Sequence, residues 1–143
     1  MLEYVAEAYA FATPYSGGLA ESTLQRHAMA VMDTTVAPLL FPTLQENALD
    51  PSRLSECIDV LEQAVLTSPP PNLLAFHVAP IWLRFQWWHP DSAVTRAIRA
   101  RPALAGWLDE AVRLPSVVST SPRRSDSVAD YHEMCAKLGL AKR

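Results

Sequence analysis

The amino-acid sequence predicts an all-α domain, and three observations carry this prediction. Apolar residues recur at helical spacing in nearly every segment of the 143-residue chain. Breaks rich in proline, such as TPYSGG and TSPPPN, separate these segments. The one run with strand-like character, SVVST, is short and has prolines on both sides. We therefore expect a bundle of about five to seven helices around one core.

The first complete helix is predicted over residues 24–40, with Ser22 and Gln25 forming a capping box at its start. Two apolar stripes run side by side along this helix. They consist of Leu24, Ala28, Val31, Thr35 and Leu39, and of Met29, Met32, Val36 and Leu40. Pro38 and Pro42 are expected to kink or end the helix.

The next two helices have clear starts. Asp50 is expected to cap a helix in which Pro51 takes the first position. Its apolar stripe is Leu54, Ile58, Leu61 and Val65. A helix from about Leu73 to Trp88 follows, with Asn72 as the nearest cap. Because this helix is apolar nearly all round, it is predicted to be the central buried one.

The last third of the chain continues the helical pattern. Val94 and Ile98 mark a short helix, and Pro102 starts another that carries Leu104, Trp107, Leu108 and Val112. The stretch LPSVVSTSP is predicted to be extended. Ser127 and Asp130 form a second capping-box pattern, which predicts a final helix with Tyr131, Cys135 and Leu138.

Composition and charge narrow the classes of function. The formal net charge is −3, which argues against a general nucleic-acid partner. Two isolated cysteines cannot form a disulfide framework, which favours a reducing, cytoplasmic location. The most apolar stretch, NLLAFHVAPIWLRFQWW, is too short and too often interrupted to predict a membrane span. We therefore expect neither a nucleic-acid nor a membrane partner.

The stretch RPALAGWLDEAVRLPSVVSTSP resembles the end of the C-terminal, all-helical domain of cytosolic glutathione S-transferases. In that family a helix that opens near a proline carries a tryptophan and is followed by Pro-Ser; here these are Pro102, Trp107, Pro115 and Ser116. The chain departs from the family pattern at PNLLAFHV, where the family's central helix usually opens with a Ser/Thr-x-x-Asp box. In this sequence Asn72 is the nearest cap and Phe76 or His77 stands near the expected Asp, so the cap is either weakened or replaced.

The resemblance also suggests how the chain begins. MLEYVAEAY has helical periodicity but no residue to cap it, and it is similar to the end of the last helix of the family's thioredoxin-like N-terminal domain. Residues 1–12 are therefore predicted to be the end of a helix that would belong to a missing domain. Residues 13–143 are predicted to form a single helical domain.

The resemblance implies a function without catalysis in this chain. In the family the thioredoxin-like domain supplies the residue that activates the glutathione thiol, so we assign no catalytic residue and no cofactor, and glutathione is a co-substrate only if that domain is present. The first hypothesis is a non-catalytic module for apolar-ligand binding or dimerisation. The alternative is the C-terminal half of a truncated transferase that conjugates glutathione to apolar electrophiles.

Two groups of residues are candidates for binding. The second stripe of the 24–40 helix is expected either to mediate a homodimer or to be buried on the other side within the domain. Clustered aromatics in FQWWHP either line an apolar small-molecule pocket or pack in the core. The candidate pocket or interface residues are Tyr15, Met29, Met32, Val36, Trp82, Trp88 and Ser119.

Other polar pairs have ordinary structural explanations. His132 and Cys135 share a helix face, but two ligands do not make a metal site, and we expect none. His77 is expected to be a hydrogen-bonded core or interface histidine. Asp109 and Glu110 are adjacent on a helix and point apart, which indicates a solvated face rather than a catalytic pair.

Overall fold

A computed structural model describes residues 19–41, 50–67 and 69–140, and all regular structure within these ranges is helical. It contains the helices α1 (Leu19–Val31), α2 (Pro51–Val65), α3 (Leu73–Trp88), α4 (Ala93–Arg99), α5 (Pro102–Ala111), α6 (Pro115–Thr120) and α7 (Arg124–Lys137). For the described residues the all-α prediction is confirmed. The predictions for residues 1–12 and for Tyr15 lie outside these ranges.

The predicted capping box at the start of the first helix is wrong. The helix is already formed at Leu19, so Ser22 lies inside it and its hydroxyl donates to the Leu19 carbonyl at 3.0 Å. Serine can bond to the preceding turn in this way within a helix. Gln25 is fully buried, and its Nε2 donates to Thr67 Oγ1 at 3.2 Å. It therefore joins α1 to the end of α2 rather than capping α1.

The first helix changes its geometry before it ends. α1 continues into a π-helical turn, Met32–Val36, and a 3₁₀ turn, Ala37–Leu40. The amide of Ala37 bonds to the carbonyl of Met32, five residues earlier. Pro38 follows and has no amide hydrogen to continue an α-helix. Phe41 is extended, so the predicted interruption near Pro38 is confirmed.

α1 and α2 form an antiparallel pair. Gln25 reaches Thr67 at one end, and the hydroxyl of Thr35 faces Cys57 near the other. The side chain of Asp50 accepts a hydrogen bond from the Ser52 amide at 3.0 Å, and Pro51 is the first residue of α2, as predicted. The whole predicted stripe of α2 is buried: Leu54, Ile58, Leu61 and Val65.

α3 is the central helix, and its bounds match the prediction. It contacts α1, α4, α5, α6, α7 and the 3₁₀ turn. Asn72 Oδ1 caps it by accepting from the Ala75 amide at 2.8 Å. Its buried side chains, which include Leu74, Val78 and Phe85, form the middle of the core.

The last two helices differ from the prediction at their starts. LPSVVSTSP is not extended, because Pro115 occupies the first position of α6 and presets a helical φ angle. The Val118 amide bonds to the Leu114 carbonyl at 2.9 Å. α7 begins at Arg124 rather than at Ser127. Ser127 is instead buried against α3, so the second predicted capping box is also wrong.

None of the helices in the described part of the chain is both long and apolar enough to cross a bilayer.

Candidate functional site

The tryptophans in the second half of α3 point in three directions. Successive residues on a helix are about 100° apart, so the adjacent Trp87 and Trp88 cannot share a face. Trp82 enters the core, Trp88 packs against α7, and Trp87 lines a cleft on the surface. The predicted aromatic cluster is therefore divided between packing and a solvent-accessible surface.

Trp82 has a structural role. It is 1% exposed, and its Nε1 donates to Asp109 Oδ1 at 3.4 Å. Asp109 also accepts from Gln86 Nε2 at 3.3 Å and pairs with the Arg99 guanidinium at 3.5 Å. Glu110 is exposed on the neighbouring face. Asp109 therefore joins α3 and α5, and the two carboxylates do not form a pair.

Trp88 holds α7 against α3. Its Nε1 donates to both the carbonyl and the hydroxyl of Ser127, at 3.1 and 3.0 Å. Its ring stacks on Tyr131 with centroids 4.9 Å apart. Burial, together with a hydrogen bond to Cys135, raises the pKa of Tyr131 to about 12. The Tyr131 hydroxyl is therefore neutral at physiological pH.

The candidate site is the cleft between the second half of α3 and the connection from α6 to α7. It encloses about 70 Å³ and is lined by Pro80, Leu83, Arg84, Trp87, Thr120, Ser121 and Pro122. This volume is well below the range of roughly 300–1,000 Å³ for small-molecule sites, so the cleft takes up part of a ligand and leaves the rest in solvent. An indole, a leucine and two prolines form its apolar part, and one guanidinium and two hydroxyls form its polar part.

The four α3 residues of the cleft share one face of the helix. Pro80, Leu83, Arg84 and Trp87 fall at i, i+3, i+4 and i+7, and each is half-buried. Pro80 also lacks an amide hydrogen within the helix. This spacing was available in the sequence. The opposite wall was not, because the sequence pattern predicts that LPSVVSTSP is extended, whereas the structure forms α6 there.

Among the described residues that line the cleft, Arg84 is the charged one. Its Nη1 donates to the Pro80 carbonyl at 3.0 Å, and its guanidinium carbon lies 5.8 Å from the centre of the Trp88 ring. Stacking on an aromatic face is favourable for a guanidinium. These two contacts fix the cation at the edge of the cleft.

The predicted site residues are not brought together at this cleft. Met32, Val36 and Trp82 are buried in the core, with Met32 2% exposed, and Met29 is half-buried against it. Ser119 is exposed on α6, and its hydroxyl donates to the Ser116 carbonyl. Trp88 is adjacent to Trp87 but faces α7. Their assignment as ligand-binding residues stays a prediction.

The second stripe of the 24–40 segment packs inside this domain. Val36 and Leu40 are buried together with Met32, between α2 and α3. Of the two expectations for this stripe, the structure favours burial on both sides within the domain. The homodimer through this helix stays a prediction, but these three side chains already belong to the core.

Candidate nucleophiles and metal ligands are separate from the cleft. Burial raises the pKa of the Cys57 thiol, so it is a poor nucleophile at neutral pH. His77 Nε2 lies 2.8 Å from Asp33 Oδ1 and joins α3 to the π-helical turn. Within the described ranges, no three or more histidine, cysteine, aspartate or glutamate side chains are placed to hold a metal ion.

A second depression lies between α2 and α4 and encloses about 400 Å³. It is more open than the cleft, and none of the described residues that line it is aromatic. Its Arg101 already pairs with Asp59 and Glu62, whereas its Arg96 donates to the Asp91 carbonyl and forms no ion pair with a described residue. This groove therefore offers a cation but no aromatic stacking surface to a ligand.

The described residues form an all-α domain, and the cleft is a small amphipathic depression beside its central helix. Comparisons of the chain with protein-family models, with curated proteins and with solved structures found no match.

Proposed function

We propose that this chain is a non-catalytic helical module that binds a small apolar molecule, and that the cleft beside Trp87 is its binding site. The observation that carries the proposal is the position of the Trp87 indole. It is half-buried at a concave surface, next to Leu83 and opposite Pro122. An aromatic ring with one accessible face can stack on a planar ligand.

Two further observations support a binding module. Met32, Val36 and Leu40, predicted as an association surface, contribute to this domain's own core, which favours ligand binding over dimerisation. The resemblance of the sequence to the C-terminal domain of glutathione S-transferases also supports the proposal, because that domain supplies the apolar substrate wall in the family.

The size of the cleft sets the expected affinity. A planar ring system about as large as an indole buries about 150 Å² on binding. At about 25 cal/mol per Å², complete burial of the ring gives at most about 4 kcal/mol, and partial burial and the cost of association reduce this, so the Kd is expected to be about 1 mM or weaker. The cleft alone therefore provides weak binding of an uncharged aromatic molecule, and tighter binding needs a polar contact.

The test is a titration with 1-naphthamide, an uncharged bicyclic probe, followed by NMR of the tryptophan indole N–H signals. Trp87→Phe assigns the relevant signal. We expect the Trp87 signal to shift with saturation, and the signals of Trp82 and Trp107, which are buried elsewhere, to change little. Glutathione is expected to leave all of them unchanged.

Leu83→Asp is the disruptive variant, since it places a charge in the apolar wall, and Leu66→Asp is its matched control. Leu66 is also a leucine, but it is exposed at the end of α2, away from the cleft. The proposal is wrong if the Trp87 signal does not respond to any naphthalene probe, or if both variants bind as the wild type does.

A further inference from the structure

Arg84 has unused hydrogen-bonding capacity at the cleft. A guanidinium has five N–H donors in a fixed plane. Among the described residues, Arg84 makes one hydrogen bond, to the Pro80 carbonyl, and no ion pair. By contrast, Arg99 pairs with Asp109, and Arg101 pairs with two carboxylates. Arg84 is thus a half-buried cation that is fixed by its contacts with Pro80 and Trp88, and its remaining N–H donors are open to a ligand.

The surroundings of Arg84 also favour an anion. The described residues that line the cleft include no carboxylate. Pro122 is followed directly by Arg123 and Arg124, both exposed, and the nearest acidic residue along this segment is Asp126, which is exposed and accepts from Ser125. The segment that continues from this wall is therefore basic, although the chain as a whole carries −3.

A neutral donor lies in the same lining. Ser121 is half-buried, and its hydroxyl makes no hydrogen bond within the described residues. The neighbouring Thr120 hydroxyl already donates to the Ser116 carbonyl at 2.7 Å. The cleft therefore combines a planar cation and a hydroxyl donor with an apolar stacking surface at Trp87.

The geometry points to a planar aromatic carboxylate as the ligand class of this cleft, with the ring against Trp87 and the carboxylate accepting hydrogen bonds from Arg84. This inference rests on the proposed function and goes beyond it by naming the charged group and the residue that recognises it. Guanidinium–carboxylate bonds are planar, charge-assisted and about twice as strong as neutral ones. Half-burial reduces the screening of this charge by solvent and salt.

The experiment compares 1-naphthoate with 1-naphthamide by calorimetric titration at neutral pH and low salt. The two probes have the same ring, and only the first is charged. We expect 1-naphthoate to bind about 10-fold more tightly, since a hydrogen bond to a charged group contributes roughly that much. The difference is expected to shrink as salt is added, because the cleft is open to solvent.

Three substitutions complete the test. Arg84→Gln is expected to lower 1-naphthoate affinity about 10-fold and 1-naphthamide affinity by much less, since a bond to the neutral amide oxygen is weaker; the remaining binding also shows that the variant folds. Arg84→Lys keeps the charge but not the planar fork, so it is expected to have an intermediate effect. Arg53→Gln, on the exposed surface of α2, is the matched control and is expected to change neither affinity.

The outcomes separate this inference from the proposed function. Equal affinity for the two probes, or an equal loss of both in Arg84→Gln, overturns the role of Arg84 but leaves the apolar site standing. Failure of both probes to bind the wild type overturns the proposed function and this inference with it.

Discussion

The cap of the central helix provides the sharpest test of how this fold is stabilised. Asn72 is only 8% exposed, and its Oδ1 accepts from the fully buried Ala75 amide at 2.8 Å. Its Nδ2 donates to the Pro69 carbonyl at 3.3 Å. Asn72→Ala removes both contacts. It leaves a buried amide without a partner at the start of the helix that contacts most others.

The magnitude follows from the loss of a cap at a buried amide. Removing a good N-cap side chain costs about 0.5–2 kcal/mol. Because the Ala75 amide is away from water when it loses its partner, the upper end of this range applies. We therefore expect Asn72→Ala to lower the free energy of unfolding by about 2 kcal/mol. Asn72→Ser keeps an oxygen that can accept from the same amide, so its loss should be less than about 1 kcal/mol.

The assay is urea denaturation followed by far-UV circular dichroism, with the free energy taken by linear extrapolation and the m value checked for constancy. Asp50→Ala is the matched control, because Asp50 also caps a helix but is exposed, so water can bond to the released Ser52 amide. Its loss should be smaller than that of Asn72→Ala. The reasoning is refuted if Asn72→Ala costs less than about 0.5 kcal/mol, or if serine is as damaging as alanine.

Two further predictions concern residues of the core and its edge. Burial lowers the pKa of His89 from its ordinary 6.5, against a hydrogen bond with the Leu40 carbonyl that raises it. The unfolded chain therefore takes up the proton first, and the free energy of unfolding should fall as pH decreases from about 7.5 to about 5.5. This dependence on pH should be weaker in His89→Gln than in the wild type, whereas the control His27→Gln should keep it. Equal pH dependence in His89→Gln and the wild type would contradict the prediction. Met32→Ala should lower the free energy of unfolding by about 3 kcal/mol because it opens a cavity; unchanged stability with altered gel-filtration behaviour would instead identify Met32 as part of an association surface.

The elements that could be predicted from the sequence are those with local signals. Three helix starts are marked to within a few residues, by Asp50 with Pro51, by Asn72 and by Pro102. The spacing of the apolar residues after each start is compatible only with a helix. The two capping-box patterns failed because their residues are used by distant partners. Gln25 bonds to Thr67, 42 residues away, and Ser127 accepts from Trp88, 39 residues away.

The candidate site was predictable only in part for the same reason. FQWWHP lies in the part of α3 that borders the cleft, but the faces of Trp82, Trp87 and Trp88 depend on which helices pack around them. The second wall of the cleft exists because α6 forms where an extended segment was expected. The double stripe of residues 24–40 was correctly recognised as more than a surface helix needs, yet only packing shows that α2 and α3 cover both sides.

The contact between Trp88 and Ser127 has a consequence for α7 as a whole. The segment Thr120–Pro122 that forms one wall of the cleft leads directly into α7, and Trp88, next to Trp87, holds α7 by its indole. The cleft and the docking contact of α7 therefore depend on two adjacent residues of α3, Trp87 and Trp88. A molecule that binds only while α7 is docked stabilises the docked state, and thermodynamic reciprocity requires that docking strengthen binding by the same factor. If the proposed ligand binds in this way, we expect it to slow hydrogen exchange of the α7 amides, although these amides do not contact the ligand.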